Sequence, residues 1–365
     1  MAFKSIDTRN FRNLEGGAVE TGAASIFLVG ENGQGKSNFL DAIYTLCYGV
    51  SFRGAQDSAA ARLGTDSWSL SGECYGIADG SETLPGSTLS IRWTQAGKAI
   101  RENDKPIIDR KRLVEANPAV IFCHDDMEFA RGEPERRRFF FDQTAGLVSA
   151  GYIDLLRSYR RVLKSRNAAL KERMLDVLDV LDFQMATWGV ALRGERARLV
   201  EYFDRIFAPR YEAVSLLGER IGVSYRPSWR IEENVDAVTA RLGASRDREL
   251  TMGTSLSGPH RDRYRFDDSY GDFSTRASTG QLRLLALTLR IAQAEHYSAL
   301  SGRAPVLMLD DVLLELDPDK RRRFMDNLPR GEQAFFTFLP GEPFGDYRMK
   351  DTIIYWTDHG RFTHT

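Results

Sequence analysis

The stretch Ile26-Phe27-Leu28-Val29-Gly30-Glu31-Asn32-Gly33-Gln34-Gly35-Lys36-Ser37 constrains the chain more than any other. Four apolar residues rich in β-formers predict a buried strand. The glycines end it and let the backbone turn tightly, with several N–H groups pointing inward. Lys36 adds a point charge and Ser37 a hydroxyl, completing the pattern G-x-x-x-x-G-K-[ST]. From Asn38 onward, Leu40, Ile43 and Leu46 recur at helical spacing. A strand, a glycine-rich turn and a helix N-terminus together form a receptacle for a polyphosphate. Gly30, Glu31, Asn32, Gly33, Gln34, Gly35, Lys36, Ser37 and Asn38 are therefore the candidate nucleotide contacts.

The second half of such a site lies far along the chain. Ala304 to Leu309 reads as an apolar strand, and it ends in Asp310-Asp311. In a P-loop enzyme the strand beside the P-loop carries an acid that helps hold magnesium, which the P-loop hydroxyl ligates directly. Asp310 with Ser37 suits the metal. Asp311 suits polarising an attacking water. About three-quarters of the chain separates Lys36 from Asp310. That is more than a compact nucleotide domain needs, so a further domain is expected in between.

Several segments bear on that arrangement. Phe3 to Leu14 predicts an early strand. Arg12 would approach the nucleotide if that strand paired beside the P-loop strand. Trp68 to Ile108 reads as antiparallel strands with turns at Asp79-Gly80 and Ala96-Gly97. Pro118 to Cys123 is a further buried strand, and Glu133-Pro134-Glu135 opens a helix. From about 135 to 210 the pattern is helical, with Leu163, Leu170, Met174, Val177, Leu181 and Trp188 expected on a packed face. Arg157, Arg160, Arg161 and Lys164 stand at i, i+3, i+4 and i+7, so they share a helix face. They are either a solvated surface or a stripe facing DNA phosphates. Arg136, Arg137 and Arg138 fan around a helix and cannot all meet one ligand. Ser278-Thr279-Gly280-Gln281 begins a helix, a second anion-binding N-terminus. Two such helix ends fit one terminal phosphate if they come from two copies of the chain, so Ser278, Gly280 and Gln281 are expected to reach ATP held by a partner subunit. A plain serine cap is the alternative.

Composition adds limits. The chain has 365 residues, a formal net charge of −1 and three scattered cysteines. The cysteines form neither a disulfide framework nor a metal motif, which fits a reducing cytoplasm. No apolar run approaches the ~18 residues of a membrane span, and the N-terminus lacks an apolar signal core.

The order P-loop, Ser-x-Gly-Gln, and apolar-Asp-Asp followed by Glu315-Leu316-Asp317 resembles the head domains of ABC and SMC ATPases. The resemblance is closer to the RecF family of bacterial recombination mediators. It also takes in Asn10-Phe11-Arg12-Asn13-Leu14, Ser51-Phe52-Arg53, Gly132 to Phe139 and Gly258-Pro259-His260-Arg261-Asp262. It implies an α/β fold, an ABC/SMC-type P-loop ATPase head over 1–135 and 256–365, with an inserted helical arm over 136–255. It further implies ATP-dependent dimerisation, Mg2+, slow hydrolysis, binding to gapped DNA, and help in loading RecA with RecO and RecR. Thr337 stands where many ABC proteins carry a switch histidine, in keeping with slow turnover. A transporter motor and a non-hydrolysing ATP-gated scaffold are the rival readings.

Overall fold

The computed structural model describes residues 2–77, 83–314 and 316–364. The Asp79-Gly80 turn and Glu315 lie outside them. The chain forms two compact units, Met1–Asp125 with Tyr297–Thr365, and Asp126–His296 between them. The sequence places the divisions at 135/136 and 255/256; the contacts place them at 125/126 and 296/297.

The first unit opens with β1 (Ala2–Arg9), β2 (Gly17–Glu20), β3 (Ser25–Val29) and helix α1 (Lys36–Tyr48). There follow β4 (Ser67–Ile77), β5 (Thr83–Thr94), β6 (Gly97–Glu102), β7 (Lys105–Pro106), α2 (Lys111–Ala116) and β8 (Ala119–Phe122). The second unit holds α3 (Met127–Arg131), α4 (Pro134–Val148), α5 (Ala150–Glu172), α6 (Leu178–Ser215), β9 (Gly222–Arg226), α7 (Val235–Ala244), α8 (Arg246–Met252), β10 (Arg263–Asp268) and β11 (Gly271–Asp272). Helix α9 (Thr279–Ser301) begins there, and the first unit closes with β12 (Val306–Leu309), α10 (Pro318–Asp326), β13 (Gln333–Phe338), β14 (Thr352–Asp358) and β15 (Arg361–His364).

Two six-stranded sheets build the first unit. One is antiparallel, in the order β2-β1-β4-β5-β6-β7; the other runs β15-β14-β3-β13-β12-β8 and is parallel except at β15. Every residue of β3, β8, β12 and β13 is buried, as a sheet covered on both faces requires. Helix α1 is buried almost throughout. Gln333 joins the two sheets: its amide oxygen accepts from the Phe3 N–H at 2.9 Å, and its Nε2 donates to the carbonyls of Phe3, Thr21 and Ala23.

This topology corrects two expectations. The strand carrying Asp310 is not beside the P-loop strand, because β13 lies between β12 and β3. Nor does β1 pair beside β3; it belongs to the antiparallel sheet, between β2 and β4. The extended stretch Phe3–Arg9 alternates buried and open positions, which suits a half-covered antiparallel sheet rather than an enclosed parallel one.

In the second unit α5 and α6 form a helical hairpin, and α4, α6 and β10 share an aromatic core of Phe140, Phe141, Phe203, Phe207 and Tyr264. The predicted packed face of the hairpin is only partly so. Leu170 is fully buried, but Met174, Val177 and Trp188 are 49%, 38% and 40% exposed. The positions that close the hairpin are Tyr159, Val162, Ala169, Leu178, Met185 and Leu192. The α-helical repeat is real; its phase is shifted.

Candidate nucleotide site

The P-loop follows β3 and turns into α1. Gly33 and Gly35 have φ of 79° and 113°, left-handed values that cost a glycine little. A β-carbon at Gly30 would collide with the Thr357 carbonyl. The Lys36 ammonium donates to the Gly30 carbonyl at 2.6 Å and the Glu31 carbonyl at 3.1 Å, which holds it over the loop. The β14–β15 turn braces the loop from behind. The Gly360 N–H donates to the Gln34 carbonyl at 2.7 Å, and the His359 N–H to Gln34 Oε1 at 2.6 Å. Gln34 thus spends its backbone carbonyl and side-chain amide oxygen on the fold.

Arg12 reaches this region by a route the strand order did not predict. Its backbone is left-handed, φ 50°, and it sits in the loop after β1. Its Nε donates to Asp41 on α1 at 2.6 Å, and Nη2 donates to Ser51 at 3.2 Å. Asp41 is fully buried and also accepts from the Ser51 hydroxyl and the Phe52 N–H. One edge of Arg12 is therefore committed to anchoring α1. Asn38 is similarly engaged, donating to Asn13 at 2.6 Å and accepting from Arg53 at 2.9 Å. Asn13 also donates to the Gly33 carbonyl. Arg53, Asp41 and Asn13 also belong to this network. Nothing in their sequence spacing says that loops after β1 and α1 converge on the P-loop.

Asp310 follows β12 and comes near enough to the Ser37 hydroxyl for the serine to favour its charged form, despite the intervening strand. Burial pushes its carboxyl up to about 6; the Ser37 hydroxyl opposes this, the Asp311 charge adds to it, and Arg53 and Lys36 oppose it. Oδ1 of Asp310 is buried and has no hydrogen-bond partner. A buried carboxylate oxygen beside a serine hydroxyl suits a hard divalent cation. Among the described residues no cluster of three or more His, Cys, Asp or Glu could hold a metal alone. The protein would therefore supply only part of a magnesium shell, which is how this metal is held beside phosphates.

Asp311 has left-handed backbone, φ 53°. Thr337 on β13 fixes it twice: the Asp311 N–H donates to Thr337 Oγ1 at 2.7 Å, and that hydroxyl donates to Asp311 Oδ1 at 2.8 Å. The strand between the two halves of the site is thus a positioning element.

The remaining candidates lie in the second unit. Ser278 caps α9 in a reciprocal box: its N–H donates to Gln281 Oε1 at 2.8 Å, and the Gln281 N–H donates to Ser278 Oγ at 3.3 Å. Ser278, Thr279 and Gly280 are exposed, and a β-carbon at Gly280 would meet nothing within 4 Å. In the first unit, Asp317 caps α10 through the Lys320 N–H at 2.9 Å. Arg157, Arg160, Arg161 and Lys164 are all exposed along α5. Arg157 pairs with Asp154 at 3.7 Å and Arg160 with Asp142 at 3.5 Å. The three-arginine run divides as expected from its helical fan. Arg137 is buried against the carbonyls of Ala130 and Tyr264, Arg138 donates to the Asp262 carbonyl, and Arg136 stays exposed.

Comparison with known proteins supplies the family and the fold. The family model described as RecF/RecN/SMC N terminal domain matches residues 2–339. A DNA replication and repair protein RecF from Treponema pallidum (strain Nichols) is 40% identical over 96% of this chain and 98% of its own length. One from Staphylococcus aureus (strain JH9) is 28% identical over 99% of each. A solved structure of the recombination mediator protein RecF with ATP, in the RecFOR pathway, superposes with a TM-score of 0.88 at 25% identity, covering 100% of this chain and 97% of that one. An SMC head bound to the C-winged helix domain of ScpA shares the fold, with a TM-score of 0.59 at 14% identity over 100% of this chain and 98% of that one. A chain with an ABC/SMC-type head fold, matched over nearly its whole length by these proteins, belongs to the RecF family of DNA replication and repair ATPases.

Proposed function

We propose that this chain binds ATP with a magnesium ion, dimerises around two shared nucleotides, and in that state holds gapped DNA to promote RecA loading with RecO and RecR. The P-loop N–H groups and Lys36 would receive the β- and γ-phosphates. Ser37 and Asp310 would hold the ion, which supplies neutralising charge for the phosphates when bound. Asp311, set by Thr337, would orient and deprotonate the attacking water. Ser278, Gly280 and the α9 N-terminus would close on the terminal phosphate of the partner subunit's nucleotide. A threonine hydroxyl is a poorer proton relay than a histidine, so turnover is slow. The buried, unpartnered oxygen of Asp310 against Ser37 is the observation that carries the nucleotide reading.

DNA would be held chiefly by its phosphates along Arg157, Arg160, Arg161 and Lys164, hence with salt sensitivity and little sequence preference. The place of the ATP-bound structural relative in the RecFOR pathway supports the partner assignment. No described helix is long and apolar enough to cross a membrane. We place the chain's work in the cytoplasm, with the DNA.

Sizing the protein by light scattering tests this. A dimer is expected for the native chain with ATP and magnesium, and a monomer without ATP or with Lys36→Met. A dimer that forms regardless of nucleotide would overturn the mechanism.

A further inference from the structure

A groove runs between α5 and α6, lined by Ser158, Arg161, Val162, Phe183, Thr187 and Trp188. Its volume is ≈ 380 Å3, within the range of about 300–1,000 Å3 usual for sites that take a small organic group. Two large aromatic rings border it and face solvent: Phe183 is 53% exposed and Trp188 40%. A protein surface does not ordinarily leave two large aromatics open at one groove. Here they stand beside cations. Arg161 lines the groove itself, and Lys164 follows one turn along α5; both are exposed, and among the described residues no ion pair engages either. No carboxylate lines the groove.

We infer that this groove is a stacking site for unpaired bases of single-stranded DNA, with Trp188 and Phe183 as the platforms and Arg161 and Lys164 holding the flanking phosphates. The occupant must be anionic along its length yet present flat apolar faces, and a polynucleotide strand has both. Aromatic platforms beside a basic track are how single strands are bound without sequence readout. A duplex hides its base faces, so it engages the cations and leaves the rings unused. The inference rests on reading the α5 stripe as phosphate-facing. It adds to that reading a means of telling the single-stranded side of a gap from the duplex side.

The full chain with ATP and magnesium is titrated against oligo-dT, blunt duplex, and a tailed duplex carrying 2-aminopurine in its tail. The double variant Phe183→Leu with Trp188→Leu keeps apolar bulk at exposed positions. It is expected to bind oligo-dT at least about ten-fold more weakly, in the range of one lost stacking contact or more. Its duplex affinity and ATP-dependent dimerisation should be native, and its salt slope unchanged. Native protein should alter the 2-aminopurine fluorescence and the variant should not. In contrast, Arg161→Gln with Lys164→Gln should shallow the salt slope on both DNAs. Native oligo-dT affinity and an unchanged 2-aminopurine response in the aromatic variant would overturn the inference, as would competition for the groove by an acidic apolar peptide but not by oligo-dT. Failure of the stripe reading is distinguishable: charge reversal at Arg160 and Arg161 would then leave duplex affinity intact at low salt.

Discussion

The phosphate end of the first unit and the arginine networks of the second use the same side chains to opposite ends. Around Asp310 the polar valences are incompletely used: its buried Oδ1 has no hydrogen-bond partner. In the second unit Arg196 is 2% exposed and meets two carboxylates, Asp142 and Asp262, and the Pro259 carbonyl. Arg166 is fully buried and meets Asp182, Glu249 and Ser255. Asp262 takes the Ser228 N–H and the Tyr225 hydroxyl besides. A site keeps valence in reserve for a ligand; a scaffold consumes it. By that criterion Gly258-Pro259-His260-Arg261-Asp262, more particular to the family resemblance than the P-loop, is a structural junction.

The contrast breaks most visibly if Arg196 is truncated. Arg196→Met would leave buried Asp262 without its cation and Asp142 with only exposed Arg160, and should cost about 3–5 kcal/mol, the usual loss when one partner of a buried pair is removed. Urea unfolding followed by circular dichroism measures it; a loss under 1 kcal/mol would mean the network is not structural. Asp311→Asn is the counterpart at the other region. It should lower single-turnover hydrolysis by roughly 10²–10⁴-fold, the range for a general base, while leaving ATP-driven dimerisation in place. Native hydrolysis in that variant would move the base elsewhere, and no detectable hydrolysis in the native chain would favour the scaffold reading.

A smaller effect separates the regions by pH. His260 Nε2 faces the Ser255 carbonyl at 3.1 Å, so it carries the proton, and Nδ1 accepts from the Tyr159 hydroxyl at 2.7 Å. Burial lowers its pKa from 6.5 to about 4, with Arg261, Arg138 and Arg166 acting in the same direction. Between those values the unfolded chain holds a proton that the folded chain does not. Stability from this group is therefore complete above pH 6.5 and falls by about 1.4 kcal/mol per pH unit down to pH 4. His296, also lowered to about 4 by burial, titrates in the same window. His260→Gln should remove about half of the histidine-derived slope in urea titrations at pH 4.5 and 7. An unchanged slope would place the acid sensitivity elsewhere.

Much of the site was legible because its chemistry is local. A strand, three glycines, Lys36 and Ser37 fit within one short stretch, and Asp310-Asp311 end an apolar run. What was hidden depends on pairing between distant segments. Nothing in Gln333 to Phe338 announces that this strand separates the P-loop from Asp310, or that Thr337 will hold Asp311. Arg12 reaches α1 through a loop and not through strand adjacency, a route that residue spacing does not report. The hairpin showed its period but not its phase: Met174, Val177 and Trp188 are apolar like their buried neighbours, and only the packing of α5 on α6 decides which of them face solvent.

The shared pocket is tested most directly by mixing two inactive chains. Lys36→Met spoils the phosphate loop, and Ser278→Arg blocks the α9 end. If each pocket is built from two subunits, a heterodimer joins the intact loop of one chain to the intact serine of the other. The account predicts that each variant alone is inactive and that the mixture regains part of the native ATP hydrolysis. A mixture as inactive as its components, although heterodimers form, would contradict it, as would Ser278→Arg hydrolysing ATP at the native rate.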